Sequence, residues 1–312
     1  MKRILIAGEI NPDLILQGYD QFPQPGRETL LRHSNLTIGG SGAICAAGFV
    51  RLGHPVRYVG KCGVDVFGEF MIQRIAKLGV EIMHIHRDPA LSTGVTVSIS
   101  DERDRAFATV LGAIAELRGA DVTDQALRGV THLHVPSIYL QQGLQPDLAA
   151  LFQRAKAAGL TTSIDPGFDP LEEWRGPWEQ ALPYTDVFLP NESELAAITG
   201  DADPEAGLRA LGRRCPLVVV KLGRDGAAAI QNGVIQKSPP FLVEAKDTTG
   251  AGDSFDAGFL HQLIETGNVE SALQFGCACG ALSTRGIGGT ELQPTPEEAQ
   301  DLIETARVNV SP

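Results

Sequence analysis

The sequence predicts an α/β fold, with a mainly parallel sheet covered by helices on both faces. Three observations predict it. Short β-rich runs alternate with helical patterns over most of the chain. The 312 residues, 43% of them hydrophobic, can bury a large core. No linker, repeat or low-complexity stretch divides the chain, so residues 1–312 are expected to form a single domain.

Taken in order, "RILIAGEI" (Arg3–Ile10) reads as the first strand, and a helix is expected over Ser41–Leu52. Strand Val56–Cys62 and helix Val66–Leu78 follow, then strand Thr131–Val135 and helix Pro146–Ala158. Strands Thr161–Pro166 and Asp186–Pro190 precede helices Glu192–Thr199 and Pro204–Arg213, and "LVVVK" (Leu217–Lys221) is the last strand of the alternation. The C-terminal third changes character. A hairpin turning at Asn232-Gly233 leads to helices Ser254–Glu265, Val269–Thr284 and Pro296–Arg307.

Two stretches stand outside the alternation. Asp13–Gly39 and Ser92–Ala113 read as extended strands inserted between units of the core. They are either an antiparallel edge extension or a small β-lid over a ligand. In the second stretch Val95, Val97 and Ile99 share one side, an apolar row that needs cover from the core or from a second lid. The latter implies a homodimer. Asp101–Arg105 mark the hairpin tip, from which Arg103 or Arg105 could reach an acidic acceptor.

A net charge of −12 excludes a basic face for nucleic acid or an anionic membrane surface, but not a small anionic ligand. No apolar segment approaches membrane-spanning length, and the start lacks the apolar run of a signal peptide. The cysteines (Cys45, Cys62, Cys215, Cys277 and Cys279) are odd in number and form no CxxC pair. Reduced thiols in a cytoplasmic protein are expected.

The chemistry concentrates in "DTTGAGDSFDAG" (Asp247–Gly258), a glycine turn opening a helix. Unpaired N–H groups and the helix dipole make such a place an anion site, yet the carboxylate of Asp253 stands in it. Phosphoryl transfer reconciles the two. Amides of Ala251, Gly252 and Asp253 could neutralise the transferring group while the carboxylate takes a proton from the attacking hydroxyl. The alternative is a plain helix cap, which leaves the two glycines and Thr248-Thr249 unexplained. A P-loop and a GxSxG elbow are both missing. His132 and His134 alternate along one strand with no third ligand, and read as structural.

"DTTGAGDSFDAGFL" resembles the C-terminal signature of the ribokinase-like (PfkB) carbohydrate kinases, and "GGSGAICAAGFVRLG" resembles their N-terminal one. The resemblance extends over nearly the whole chain. It implies a three-layer α/β/α domain with lid segments at about 13–39 and 92–113, and ATP-dependent phosphorylation of a sugar or sugar-acid hydroxyl. In it Asp253 is the base, and Gly250, Ala251 and Gly252 are the anion hole. It further implies sugar contacts from Asn11, Asp13, Gly39, Gly40 and Ser41, with Arg105 at the lid tip. Nucleotide contacts fall on Asn191, Glu194, Lys221, Gly223 and Gly226, with Glu194 acting indirectly on Mg²⁺. Asn191–Glu194 also fits a capping box, and Lys221 also fits a snorkelling lysine. A K⁺ site is implied at Asp247, Thr249, Ser283, Gly286 and Gly288, against an ordinary turn held by the Asp247 side chain. Ile44 and Cys277 stand where many relatives carry Asn: the first departs at a common sugar contact, so the resemblance implies no particular sugar, and the second departs at the adenine contact. A nucleoside kinase using Tyr19, Phe22 and Phe107 is one alternative, and a non-catalytic sugar-binding regulator is another.

Overall fold

The computed structural model describes residues 2–100 and 105–310, with side chains outside 105 and 307–310. In chain order the elements begin with β1 (Ile4–Ala7), β2 (Pro12–Gln17), β3 (His33–Ile38), α1 (Ser41–Arg51), β4 (Val56–Gly63), α2 (Val66–Lys77) and β5 (Glu81–Asp88). Next come β6 (Val95–Ser100), β7 (Arg105–Val110), α3 (Asp124–Leu127), β8 (His132–Val135), α4 (Leu148–Ala157), β9 (Thr161–Ile164) and β10 (Val187–Phe188). The last third holds α5 (Glu192–Thr199), α6 (Pro204–Leu211), β11 (Leu217–Lys221), β12 (Ala227–Gln231), β13 (Val234–Ser238), α7 (Ala251–Thr266), α8 (Val269–Ser283) and α9 (Pro296–Val310).

Nine strands form one sheet in the order β13-β12-β11-β10-β9-β8-β1-β4-β5. From β5 across to β11 every pairing is parallel, and the hairpin β12-β13 closes one edge antiparallel. The central strand shows why helices must lie on both faces. Ile4 and Ile6 of β1 sink into one apolar cluster with Phe49, Met71 and Phe259, whereas Leu5 and Ala7 sink into another with Phe152, Trp178 and Phe188. A strand buried on both sides has to be apolar at every position, and β1 is. The predicted alternation is therefore present as three layers.

One strand of this sheet escapes the sequence reading. The edge strand β5, "EIMHIHRD", has no fully buried residue, so its polar content disguises it. The helix expected over Ser254–Glu265 begins three residues earlier, at Ala251, so the glycine turn is already part of its first turn. α7 lies unusually close to α8. A Cβ added at Gly258 would stand 2.7 Å from Cys279 Cβ, and one at Gly276 3.0 Å from the Phe255 ring. Small residues on the facing surfaces allow that approach, and it fixes the height of the α7 N-terminus above the sheet.

The two inserted stretches do form a separate small sheet, ordered β3-β2-β6-β7, with β2 and β6 parallel. The tip at 101–104, Arg103 included, lies outside the described residues, as does the Arg105 side chain. Its two faces differ in chemistry. Thr96 accepts from Asn11 Nδ2 at 3.2 Å and meets Thr109, so that face looks onto the core. Leu14, Val97 and Ala108 are in register on the opposite face, followed by Leu16, Ile99 and Ala106. The apolar row of the sequence reading therefore turns away from the core, and Val110, in register with Val95, is 61% exposed.

Candidate active site

Strands β1, β8, β9 and β11 end on the same side of the sheet, where an open α/β fold places its ligands. The chain just beyond those ends supplies Glu9, Asn11, Ser137 and Asp165, and β11 itself supplies its last residue, Lys221. The N-termini of α1 and α7 point into the same crevice.

α7 starts at Gly250, whose φ of 72° is left-handed and whose added Cβ would stand 2.7 Å from Gly289 Cα. Glycine is required there on both counts. Ile44 packs into this corner, 2.9 Å from the Gly250 Cβ position. It is a wedge beneath the turn. The amides behave differently from the expectation. Ala251 N–H is already bonded to Thr248 O at 3.2 Å, so it leaves the proposed anion hole. Among the described residues nothing accepts from the N–H groups of Gly252 and Asp253. Those two, with the positive end of the helix dipole, are what the turn offers an anion.

Asp253 sits in this first turn, partly buried. Burial and then the charge of Asp165 push its carboxyl up to about 6, while Lys221 and a Ser41 hydroxyl contact pull it down. A carboxylate raised toward neutrality but still ionised at pH 7 suits a proton acceptor.

The expected sugar contacts converge nearby. Asn11 Nδ2 donates to Asp13 at 3.4 Å, and Gly39 N–H donates to Asn11 O at 3.2 Å. Gly40 caps α1 with a φ of 75°, and Ser41 accepts from Ser137 Oγ at 3.0 Å. Burial, then the charges of Asp253 and Asp247, push Asp13 up to about 7. Glu9 was missed by the sequence reading although it stands in the quoted "GEINPDLI". It accepts from Gly42 N–H at 3.3 Å at the start of α1, and burial pushes it up to about 8. Its Oε2 and the Oδ1 of Asn11 are both buried without a partner, and a Cβ at Gly40 would meet both side chains. Raised to about 8, Glu9 keeps its proton at pH 7, and a buried polar group left unanswered costs about 1–3 kcal/mol unless a ligand meets it.

Among the residues expected to contact nucleotide, Asn191 and Glu194 close a capping box. Glu194 Oε2 accepts from Asn191 N–H at 2.8 Å and its Oε1 from Asn191 Nδ2 at 2.7 Å. Burial and then Asp165 push Glu194 up to about 7. Lys221 is no snorkelling lysine. Its ammonium is buried between Asp165 at 2.8 Å and Asp256 at 3.2 Å. Asp256, three residues past Asp253, was also missed. Gly223 and Gly226 bracket the β11–β12 turn, both with positive φ. At the implied ion site, Asp247 accepts from Thr249 N–H and Oγ1 at 2.9 and 2.7 Å and from Gly288 N–H at 2.9 Å. The side chain thus staples the turn to the glycine loop, as the turn alternative expects. Ser283 Oγ donates to Gly280 O at 2.8 Å, and Gly286 packs on Leu292.

The sequence matches the description "pfkB family carbohydrate kinase" over residues 1–296. It is 34% identical to the ATP-dependent ribose-1-phosphate kinase of Halopiger xanaduensis, covering 95% of this chain and 96% of that one. It is 31% identical to the fructokinase of Klebsiella pneumoniae, over 84% and 90% of the two chains. Among solved structures it superposes on a putative ribokinase II of E. coli in complex with ATP and Mg²⁺, with a TM-score of 0.85 and 26% identity over 98% of this chain and 100% of that one. The fold is ribokinase-like.

The position of Asp253 generates a pH prediction. As the proton acceptor it must be ionised, so kcat/KM should fall about tenfold per pH unit below about 6. The residual rate of Asp253→Asn should lack that limb. A wild-type profile flat down to pH 5, or the same limb in the variant, would contradict the assignment.

Proposed function

The chain belongs to the pfkB family of carbohydrate kinases, and we propose that it transfers the γ-phosphoryl group of Mg²⁺-bound ATP to a sugar hydroxyl at the start of α7. One observation carries the choice of acceptor. Glu9 Oε2 and Asn11 Oδ1 are neighbouring buried oxygens without a partner, next to Asp13 and within the electrostatic reach of Asp253. Hydroxyls both donate and accept, so a polyhydroxylated ligand suits a protonated carboxyl beside an amide oxygen, and a sugar is such a ligand.

The chemistry follows from the placement. The acceptor hydroxyl lies against Asp253, which takes its proton as the oxygen attacks phosphorus. The N–H groups of Gly252 and Asp253 receive charge on the transferring group. The lid face bearing Thr96 and Ser98 covers the acceptor and keeps out water, which would compete for the phosphoryl group. Magnesium would supply a counter-charge to the phosphates, and Glu194, both of whose oxygens already accept from Asn191, would act on it indirectly. Screening purified protein with sugars, sugar acids, sugar phosphates and nucleosides, reading ADP release, tests the assignment. At least one sugar should give turnover, and Asp253→Asn should lower it by at least ~10²-fold. Turnover with nucleosides alone would reassign the acceptor. None with any acceptor, in a folded protein that binds sugar, would favour the non-catalytic reading.

The outward apolar face of the lid supports a homodimer in which two lids cover one another. Leu14, Leu16, Val97 and Ile99 lie on that face, turned away from the core of their own chain. They are half-buried, with Val110 beside them 61% exposed, and an apolar row on a projecting sheet is an association surface or a liability. Sedimentation should give a dimer at micromolar concentration, and Val97→Lys should yield folded monomer with weaker acceptor binding. A wild-type monomer with full activity would leave the lid as a one-subunit cover.

A further inference from the structure

We propose that Ser137 is a positioning residue for the proton acceptor: it fills the acceptor side of the Ser41 hydroxyl and so turns the hydrogen of Ser41 toward Asp253. Ser137 stands just past the end of β8, and Ser41 opens α1. Ser137 Oγ donates to Ser41 Oγ at 3.0 Å, and Ser137 itself is buried.

The backbone at Ser137 is strained for the sake of that side chain. Its φ is 45°, in the left-handed region, where an L residue costs roughly 1–2 kcal/mol and glycine fits without that penalty. Among the described non-glycine residues only Glu172, Trp174 and Asn232 share a positive φ, and none of them is buried. Ser137 is therefore the one such residue inside the crevice. Its neighbours lock it there. A Cβ added at Gly167 would stand 2.9 Å from Ser137 Cα and 3.0 Å from its Oγ, and Leu140 N–H donates to Ser137 O at 3.0 Å. Strain that the surroundings hold in place beside reacting groups points to a function for the residue that carries it.

Counting hydrogens shows what the hydroxyl does. A serine hydroxyl carries one hydrogen and two lone pairs. Ser41 Oγ receives the hydrogen of Ser137, so its own is left for another acceptor. Asp253 is that acceptor, because the Ser41 hydroxyl is among the groups that pull its carboxyl down. On its other side Ser137 lies beside Glu9, which keeps its proton at pH 7 and whose Oε2 is unanswered. Glu9, Ser137, Ser41 and Asp253 thus form a row drawn from four segments of the chain. Each of the first three has a hydrogen to offer the next, and the row ends on an ionised carboxylate. Hydrogen bonds to an ionised group are the stronger kind, so the last link fixes how Asp253 sits.

The inference rests on the reading of Asp253 as the proton acceptor. A carboxylate has two oxygens, and one tied to Ser41 leaves the second for the acceptor hydroxyl. In the step itself the acceptor oxygen bonds to phosphorus as the bridging oxygen of the nucleotide leaves, and the acceptor proton passes to Asp253. No proton runs along the row; Ser41 and Ser137 keep their own. Losing the Ser41 bond withdraws a pull on Asp253, so its carboxyl rises further above its ordinary value. Asp165 raises Asp253 and Lys221 lowers it. Asp253 also faces Glu9, Asp13, Cys45 on α1, Tyr58 on β4, Glu194 on α5 and Asp256 on its own helix. None of those is altered by the substitutions below.

Ser137→Gly tests the proposal, because glycine removes the hydroxyl and suits the left-handed backbone. Its melting temperature should stay near the wild-type value while kcat falls about tenfold, the worth of one hydrogen bond to a charged group. The acid limb of kcat/KM should move to higher pH, a change that a scaffold role does not produce. Should Ser137→Gly not fold, Ser137→Ala carries the same kinetic test. Ser41→Ala should move the limb in the same direction. Ser137→Gly combined with Ser41→Ala should move it no further than Ser41→Ala alone, since Ser137 acts through Ser41. An unmoved limb in Ser137→Gly, a raised KM for the sugar at unchanged kcat, or shifts that add in the double variant would overturn the proposal. Asp253→Asn separates the two readings. If it lacks the limb while Ser137→Gly keeps the wild-type one, only the Ser137 proposal falls. If Asp253→Asn keeps both the limb and near wild-type turnover, the assignment of the base falls with it.

Discussion

Two backbone N–H groups at the start of α7, those of Gly252 and Asp253, find no acceptor among the described residues, and the positive end of the helix dipole lies behind them. The first N–H groups of a helix have no partner within it, and these two, half-buried in the crevice, are left to a ligand or to water. The surroundings serve that turn. Left-handed Gly250 permits it, Ile44 wedges it from below, and the Asp247 side chain staples it to the Gly288 loop. Small residues between α7 and α8 set its height.

Beside a site made for negative charge the fold has gathered Glu9, Asp13, Asp165, Asp253 and Asp256, with Lys221 as the one buried cation the described residues place among them. Burial raises most of these acids, and each further charge raises its neighbours. Protonation of Glu9 and Asp256 relieves part of the electrostatic cost, and bound partners relieve the rest: hydroxyls on the acceptor side, metal-bound phosphate on the other. The parallel sheet makes this tolerable. Its strand ends point at the crevice from several elements, so each acid is held by a different backbone segment and cannot relax away from the others.

The architecture was largely legible in the sequence because parallel strands buried on both faces read as apolar runs, as β1 does throughout and β11 does up to Lys221. The edge strand β5 was not, since half-exposed His84 and His86 mimic a loop. Alternation placed the lid strands and showed two-faced β6. Which face met the core depended on Asn11 reaching Thr96, a contact across distant sequence. Asp253 was legible because glycines and threonines surround it in a local motif. Asp256 and Glu9 were not, because a single acid in an apolar stretch carries no period, and its burial depends on the packing of α7 against the sheet and of α1 against β1. Ala251 was assigned a free amide that the turn in fact spends on Thr248.

The central claim is that the α7 turn divides the work: amides for the phosphoryl group, carboxylate for the proton. Calorimetric binding of MgADP with a metal fluoride that mimics the phosphoryl group, compared between wild-type protein and Asp253→Asn, separates the two parts. Removing the carboxylate removes a charge that repels the anion. The account therefore predicts that Asp253→Asn binds the mimic at least as tightly as wild-type protein while having lost turnover. Binding that weakens in step with the lost turnover, in a variant that is otherwise folded, would make Asp253 part of the anion site's scaffold and contradict the account.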